Sequence, residues 1–356
     1  MVELGGDHLK INNKEIGRNL PPYIVAEMSA NHNQDIDNAY KIIYMAKQAG
    51  ADAVKLQTYK PDTITMDMKT PEFMIDSGLW AGKSLYELYE SAFTPWEWHK
   101  PLFDYAHKIG ITIFSSPFDT TAVDLLEDLN VPAYKIASFE AIDLPLIRYV
   151  AQTEKPMIIS TGMANSEEIR EAVNTAQEGG CREIAILHCV SEYPALAEDY
   201  NLKTISDMQQ KFGLVTGLSD HTIENTTAIA SVALGASIIE KHVTLSRNGG
   251  GPDDSFSLEV KELKELCIGS KIAWSALGKV DYGRKSSEQG NIKFRRSLYF
   301  SKDVKKGEKL TKDNVKSIRP GFGLPPKYMD RILGMVCIRD VKRGVATSFS
   351  LLEENL

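Results

Sequence analysis

No apolar run in the 356-residue chain approaches the ~20 residues needed to cross a bilayer, and residues 1–14 are too polar for the core of a signal peptide. A membrane role is therefore not expected, and the cytoplasm is the expected compartment. Cysteine is scarce: Cys181, Cys189, Cys267 and Cys337 are spaced by 8, 78 and 70 residues, with no C-x-x-C and no zinc spacing. They are expected to be reduced and mostly buried, Cys189 as packing within the apolar stretch 184–190. An excess of positive charge is also missing. The 41 Lys+Arg against 48 Asp+Glu leave −7, which points away from a dedicated nucleic-acid binder. P-loops, catalytic-triad signatures and zinc motifs are absent, and no G-x-G-x-x-G follows the first strand, where the chain reads Ser29-Ala-Asn-His-Asn33.

What is present is an ordinary globular composition, 43% hydrophobic and 25% charged, in a regular alternation. Eight short β-branched runs, at 23–29, 53–58, 111–115, 133–138, 156–161, 183–189, 214–218 and 237–242, alternate with segments of helical period such as 36–49, 95–108, 166–176, 226–234 and 260–277. Ala49-Gly50 and Ile109-Gly110 supply glycine stops, and Asn165-Ser-Glu-Glu168 resembles a capped helix start. Eight βα repeats between residues 23 and 277 match the ~250 residues of a (β/α)8 barrel. A doubly wound open sheet is the alternative fold. We place the barrel at 1–280, a polar linker at 281–293 and a small separate domain at 294–356. That last part is built of short apolar pieces, 297–300 and 336–338, between Lys/Gly turns. Residues 281–356 carry 17 basic and 9 acidic side chains, or +8, against −15 for residues 1–280. Such halves attract one another or a common anionic ligand, unless the basic surface is merely solvated.

Barrels of this kind carry their active sites at the carboxyl ends of the strands. Those ends read Glu27 with Asn31-His32, Lys55 and Gln57, Ser115-Ser116, Lys135 and Ser138, Ser160-Thr161, His188 and Ser191, Ser219-Asp220-His221, and Glu240-Lys241-His242. Taken singly, a Lys or Ser at a strand end is ordinarily solvated and a lone His is ordinarily a hydrogen-bonded core residue. Eight ends sharing one mouth change that balance. His221 and His242 end consecutive strands, which lie ~4.8 Å apart, so two imidazoles can reach one cation at ~2.1 Å. Glu240 shares a face with His242, and Asp253-Asp254 can approach from the following loop. With imidazole and oxygen ligands and no thiolate, Mn2+ or Mg2+ suits better than structural zinc. Lys55 and Lys135, with hydroxyls at Ser116, Ser138 and Ser160, suit a small, multiply charged anion bearing phosphate or carboxylate. A Schiff-base lysine is the rival explanation, since a second Lys and a cation nearby would help to hold one amine neutral.

At these residues the chain resembles the sialic acid synthase family, the phosphoenolpyruvate-dependent synthases of nine-carbon 2-keto sugar acids. The resemblance rests on Ala26-Glu-Met-Ser-Ala-Asn-His32, Gly50-Ala-Asp-Ala-Val-Lys-Leu-Gln-Thr58, Phe114-Ser-Ser-Pro-Phe118, Tyr134-Lys-Ile-Ala-Ser138, Ser160-Thr-Gly-Met163, Tyr193-Pro194, Gly217-Leu-Ser-Asp-His221, Glu240-Lys-His242 and Gly251-Pro-Asp-Asp254. Arg295-Arg-Ser-Leu-Tyr299, Gly307-Glu308 and Arg319-Pro-Gly321 look like that family's C-terminal antifreeze-like (SAF) domain. Gly78-Leu-Trp80, Ser84-Leu-Tyr-Glu-Leu-Tyr-Glu-Ser-Ala92, Thr94-Pro-Trp-Glu-Trp-His99 and Ala137-Ser-Phe-Glu-Ala141 look most like the pseudaminic acid synthase branch.

The resemblance implies condensation of phosphoenolpyruvate with 2,4-diacetamido-2,4,6-trideoxy-L-altropyranose, with a divalent cation. An N-acetylneuraminate or legionaminate synthase using another N-acetylated sugar is the alternative within the family. A Schiff-base aldolase-like lyase and a non-enzymatic glycan-binding scaffold are the alternatives outside it. Carried over residue by residue, His221 and His242 match metal ligands, and Lys55, Lys135, Ser138, Ser160 and Ser191, with Ser116 beside them, match the phosphoenolpyruvate site. Glu27, Tyr193 and Asp253, with Gln57, match contacts to the sugar or the reacting oxygens. Arg319 matches an arginine that reaches the sugar from the partner protomer of a domain-swapped homodimer.

Overall fold

The computed structural model describes residues Gly6 and His8–Glu354. The chain divides into two compact units, Met1–Gly278 and Lys279–Leu356.

The first unit opens with an antiparallel hairpin of β1 (His8–Ile11) and β2 (Lys14–Gly17). Eight parallel strands follow: β3 (Tyr23–Glu27), β4 (Ala53–Thr58), β5 (Thr112–Pro117), β6 (Tyr134–Ile136), β7 (Met157–Ser160), β8 (Ile184–Cys189), β9 (Val215–Asp220) and β10 (Ile238–His242). They close in sequence order, with β10 pairing β3 in the register Ile238↔Tyr23 to His242↔Glu27. Closure removes both sheet edges and rules out the open doubly wound alternative. The runs form strands because they are rich in apolar and β-branched residues and are covered on both faces. β3 and β10, for example, are buried at every residue. Helix Ile36–Ala49 starts on Asp35, whose side chain accepts from Asp37 N, and it ends at Gly50 with φ 94°.

The hairpin seals one end of the cylinder. Leu9, Ile11 and Ile16 are fully buried, Lys10 N donates to Glu183 Oε1 at 2.7 Å, and Asn12 Nδ2 donates to Thr112 Oγ1 at 3.0 Å. Glu183 and Thr112 stand at the amino ends of β8 and β5, so the carboxyl end remains as the mouth. Over that mouth lies the long connection between β4 and β5, which carries the helix Leu85–Ala92 with a Ser84/Glu87 capping box.

The second unit is small and rich in short strands. β11 (Ser297–Phe300) pairs antiparallel with β12 (Val315–Ile318), and β13 (Val336–Cys337) with β14 (Leu352–Glu353). Leu298, Phe300, Val304, Leu310, Val315, Ile332 and Cys337 form its core. All four cysteines of the chain are free and buried. No helix among the described residues is long and apolar enough to cross a membrane.

Candidate active site

The barrel mouth gathers a buried charged cluster. Lys55, 3% exposed, lies on the inward face of β4, 3.0 Å from Glu27 Oε2, 3.4 Å from Glu240 Oε1 and 3.2 Å from Ser116 Oγ, to which it donates. Lys135 is equally buried, 3.8 Å from the same Glu240 oxygen, and donates to the Ile136 carbonyl at 3.1 Å. Gln57 Nε2 donates to Glu27 Oε1 at 3.0 Å. Burial pushes Glu27 up to about 7 despite Lys55. Burial likewise holds Lys135 below the usual lysine range. Lys55 is penalised by burial too, but Glu240 and Glu27 outweigh it and keep it an ammonium.

Two buried lysines thus face two carboxyl groups. Against its burial, Glu240 is held as the carboxylate by Lys135 and Lys55, while Glu27 can keep or lose its proton near neutrality. In the same cluster, Ser160 Oγ and Glu240 Oε2 are buried without a hydrogen-bond partner. Unsatisfied buried polar atoms are expensive, which marks these two as groups open to a ligand. Ser191 Oγ donates to Ser138 Oγ at 2.8 Å. Above this pair, Gly162 has φ 45°, and a Cβ there would lie 2.4 Å from Ser138 Cβ and 2.7 Å from Ser191 Oγ. Only glycine lets the chain pass this close.

His221 and His242 form the second element. Their ring centroids are 5.4 Å apart at 70°. His221 Nδ1 donates to the Val190 carbonyl at 2.7 Å, which leaves the Nε2 lone pair free in the neutral ring. His242 Nδ1 has no hydrogen-bond partner, and burial followed by the charge of His221 holds that ring well below the usual imidazole range. For His221 burial acts in the same sense, but the neighbouring Cys189 sulfur and the Val190 carbonyl overcome it and raise the ring. Cys189, expected as plain packing, therefore touches a site residue. Asp253 Oδ2 lies 3.8 Å from His242 Nδ1 and accepts from Ser29 Oγ at 2.5 Å. Tyr193 stacks 4.4 Å from His221. Among the described residues no three His, Cys, Asp or Glu side chains converge on one metal-sized point. The donor set nevertheless fits a divalent ion: two imidazole lone pairs and a partnerless carboxylate oxygen, with water or substrate oxygens for the rest.

Several strand-end polar groups face elsewhere. His188 Nε2 meets the Tyr200 carbonyl, His32 Nε2 meets Thr94 at 3.2 Å, and Asn31 Nδ2 donates to the Val243 carbonyl at 2.9 Å. Lys241 points out of the barrel to Asp220 Oδ2 at 2.7 Å and the Thr222 carbonyl at 2.5 Å. Asp254, expected beside Asp253, turns away to Thr244 and to Asn33 Nδ2 at 3.0 Å. For Lys241 the alternation of side chains along β10 separates it from its inward neighbours Glu240 and His242, whereas Asn31, His32 and Asp254 lie in the loops beyond β3 and β10. Arg319 belongs to the second unit, at the end of β12, where its bond to Pro320 is cis.

Two features escaped the sequence reading. Glu140, in the short turn after β6, lines the cavity with a partnerless buried Oε2 and is pushed up to about 7 by burial. Its position two residues past Ser138 was the available signal. The other is the apolar wall contributed by residues 61–92.

With this geometry in view, comparison with known proteins becomes decisive. A model of the NeuB family matches residues 42–282, and one of the SAF domain matches residues 295–348. The chain belongs to the NeuB family. Among NeuB relatives, the pseudaminic acid synthase of Helicobacter pylori is 44% identical over 338 residues, 94% of this chain and 99% of that one. The pseudaminic acid synthase of Campylobacter jejuni is 45% identical over 91% of this chain and 94% of its own length. A crystal structure of N-acetylneuraminic acid synthetase from Leptospira borgpetersenii, in complex with citrate, aligns with TM-score 0.72 at 30% identity, covering 82% of this chain and 98% of that one. The barrel and the SAF domain expected from the residues are thus those of this NeuB chain.

Proposed function

We propose that the chain is a pseudaminic acid synthase, a transferase that condenses phosphoenolpyruvate with 2,4-diacetamido-2,4,6-trideoxy-L-altropyranose and releases phosphate. The observation that carries the reading is the pair of buried ammonium groups, Lys55 and Lys135, around the partnerless Ser160 hydroxyl at the base of the mouth. A small polyanion with phosphate and carboxylate would satisfy all three. Identity of 44–45% to two pseudaminic acid synthases over almost the full chain supports the choice of sugar.

In this reaction C3 of the enol attacks the aldehyde carbon of the open-chain sugar, and the aldehyde oxygen gains a proton. C2, left electron-poor, takes up water, and the tetrahedral carbon collapses with cleavage of its C–O bond to phosphate. Lys55, Lys135, Ser116, Ser138, Ser160 and Ser191 would hold the enol ester. Glu27, held near neutral pH, can donate or accept the proton within hydrogen-bond reach of the reacting carbons. Gln57 fixes the Glu27 carboxylate, and Tyr193 and Asp253 border the space left for the sugar.

His221 and His242 would hold Mn2+ or Mg2+, which as a Lewis acid supplies stabilisation of charge developing on the aldehyde oxygen. We further propose a homodimer in which the partner subunit's Arg319 meets the sugar, working in the cytoplasm where its substrates are made. Initial rates of phosphate release with the altrose derivative, N-acetylmannosamine and the legionaminate precursor test the reading. The altrose derivative is expected to be fastest by at least tenfold.

A further inference from the structure

The cavity over the mouth, about 490 Å³, has two unlike ends. Its base carries Ser29, Gln57, Ser138, Ser191, His242 and Asp253. Its far wall comes from residues 61–92 and shows Ile64, Ile75, Leu79, Trp80, Leu88 and Tyr89 to the cavity. No charged side chain of that segment lines the space, and Ser77 and Tyr89 contribute its only lining hydroxyls. The indole N–H of Trp80 is already used, donating to the Pro252 carbonyl at 2.9 Å. That bond ties the wall to the loop bearing Asp253, and the Trp80 ring lies 5.7 Å from Tyr193. The wall is therefore held against the reacting end rather than hanging free.

An open-chain hexose whose C1 aldehyde sits at the polar base must send its other end, C5 and C6, toward the apolar wall. A methyl group at C6 gains contact there. A hydroxymethyl group loses its water and meets on that segment only the Ser77 and Tyr89 hydroxyls, with the Glu140 carboxyl elsewhere in the cavity as its competing partner. We infer that residues 61–92 form a specificity lobe that selects a 6-deoxy sugar, with Ile75 and Leu79 as its principal contacts to C6. The inference rests on the proposed aldehyde-plus-enol reaction for the orientation of the sugar.

The test uses full-length enzyme, phosphoenolpyruvate and two substrate series. One is 2,4-diacetamido-2,4,6-trideoxy-altrose with its 6-hydroxy counterpart, and the other is N-acetyl-6-deoxymannosamine with N-acetylmannosamine. Within whichever series turns over, wild type is expected to favour the 6-deoxy member in kcat/KM by about 10- to 100-fold, the range open to a hydrophobic pocket judging one small group. Leu79→Ser, at a half-exposed position that tolerates change, and Ile75→Thr are each expected to bring that ratio below about fivefold. KM for phosphoenolpyruvate should stay within about twofold of wild type. A wild-type ratio near one, or a ratio unmoved in both variants, overturns the lobe. Preference for the mannose series overturns the proposed sugar instead, while its own 6-deoxy ratio still judges the lobe. Turnover of neither series overturns both.

Discussion

Asp220 and Lys241 are bound to each other at 2.7 Å on the outer side of the barrel, and each immediately precedes a histidine that faces the mouth. Because side chains alternate along a strand, clamping these two outward aims His221 and His242 inward together. Both partners are almost fully buried, so breaking the pair leaves an unsatisfied charge. Lys241→Met is expected to destabilise the fold by about 3–5 kcal/mol. Asp220→Asn with Lys241→Met should recover part of that loss, as read by urea unfolding. A single variant as stable as wild type would show that the pair has no such role.

The imidazoles themselves are expected to be dispensable for folding and needed for turnover. His242→Ala should keep the far-UV spectrum and melting behaviour of the parent while kcat falls by at least about 100-fold, since Lewis-acid stabilisation is worth several kcal/mol. Mn2+ affinity measured by calorimetry should fall with it. Retained activity in His242→Ala would remove this ring from the proposed ligand set.

Glycine at 162 is required by the closeness of Ser138 and Ser191. Gly162→Ala is expected to push the hydroxyl pair apart, raising KM for phosphoenolpyruvate by about tenfold or more, with a smaller effect on the sugar. Equal effects on both substrates would place the hydroxyls outside the phosphoenolpyruvate subsite.

Glu140 gives the ligand-free enzyme a pH signature. Its carboxyl holds a proton up to about pH 7 in the fold but only to the ordinary glutamate value of 4.5 when unfolded. Between those values the folded state binds more protons, so its stability falls as pH rises. Glu140→Gln removes that loss. Allowing for partial exposure, the variant is expected to gain about 1–2 kcal/mol on wild type at pH 8 and little at pH 4, by urea midpoints. The opposite trend would mean that the folded state favours the carboxylate.

The Schiff-base rival makes Lys135 its nucleophile, because Glu27 and Glu240 hold Lys55 as a cation. We expect no covalent adduct when pyruvate or the sugar is added with borohydride, by intact-mass measurement. An adduct lost in Lys135→Met would favour the lyase.

The barrel was legible because closed parallel strands are buried on both faces, so β7 and β8 appear as apolar runs, Met-Ile-Ile and Ile-Ala-Ile-Leu, before their polar ends. The strand-end rule then pointed to His221, His242, Lys55 and Lys135, which the structure buries at the barrel mouth. It could not separate inward from outward neighbours, since His242 and Lys241 differ by one residue and only the register with β9 decides which faces the mouth. β12 stayed hidden because V-K-S-I alternates over four residues, too few to establish a period. The apolar wall was illegible for another reason. Its residues are scattered between 64 and 92 and come together only where the helix Leu85–Ala92 folds over the mouth.

The central claim is that phosphate leaves by C–O cleavage as a carbon–carbon bond forms. The direct measurement is turnover of phosphoenolpyruvate labelled with 18O at its bridging oxygen, in the presence of the diacetamido altrose and Mn2+. The account predicts one nine-carbon keto acid per phosphate, with the label in the phosphate. Unlabelled phosphate, or phosphate released without the nine-carbon product, would contradict it.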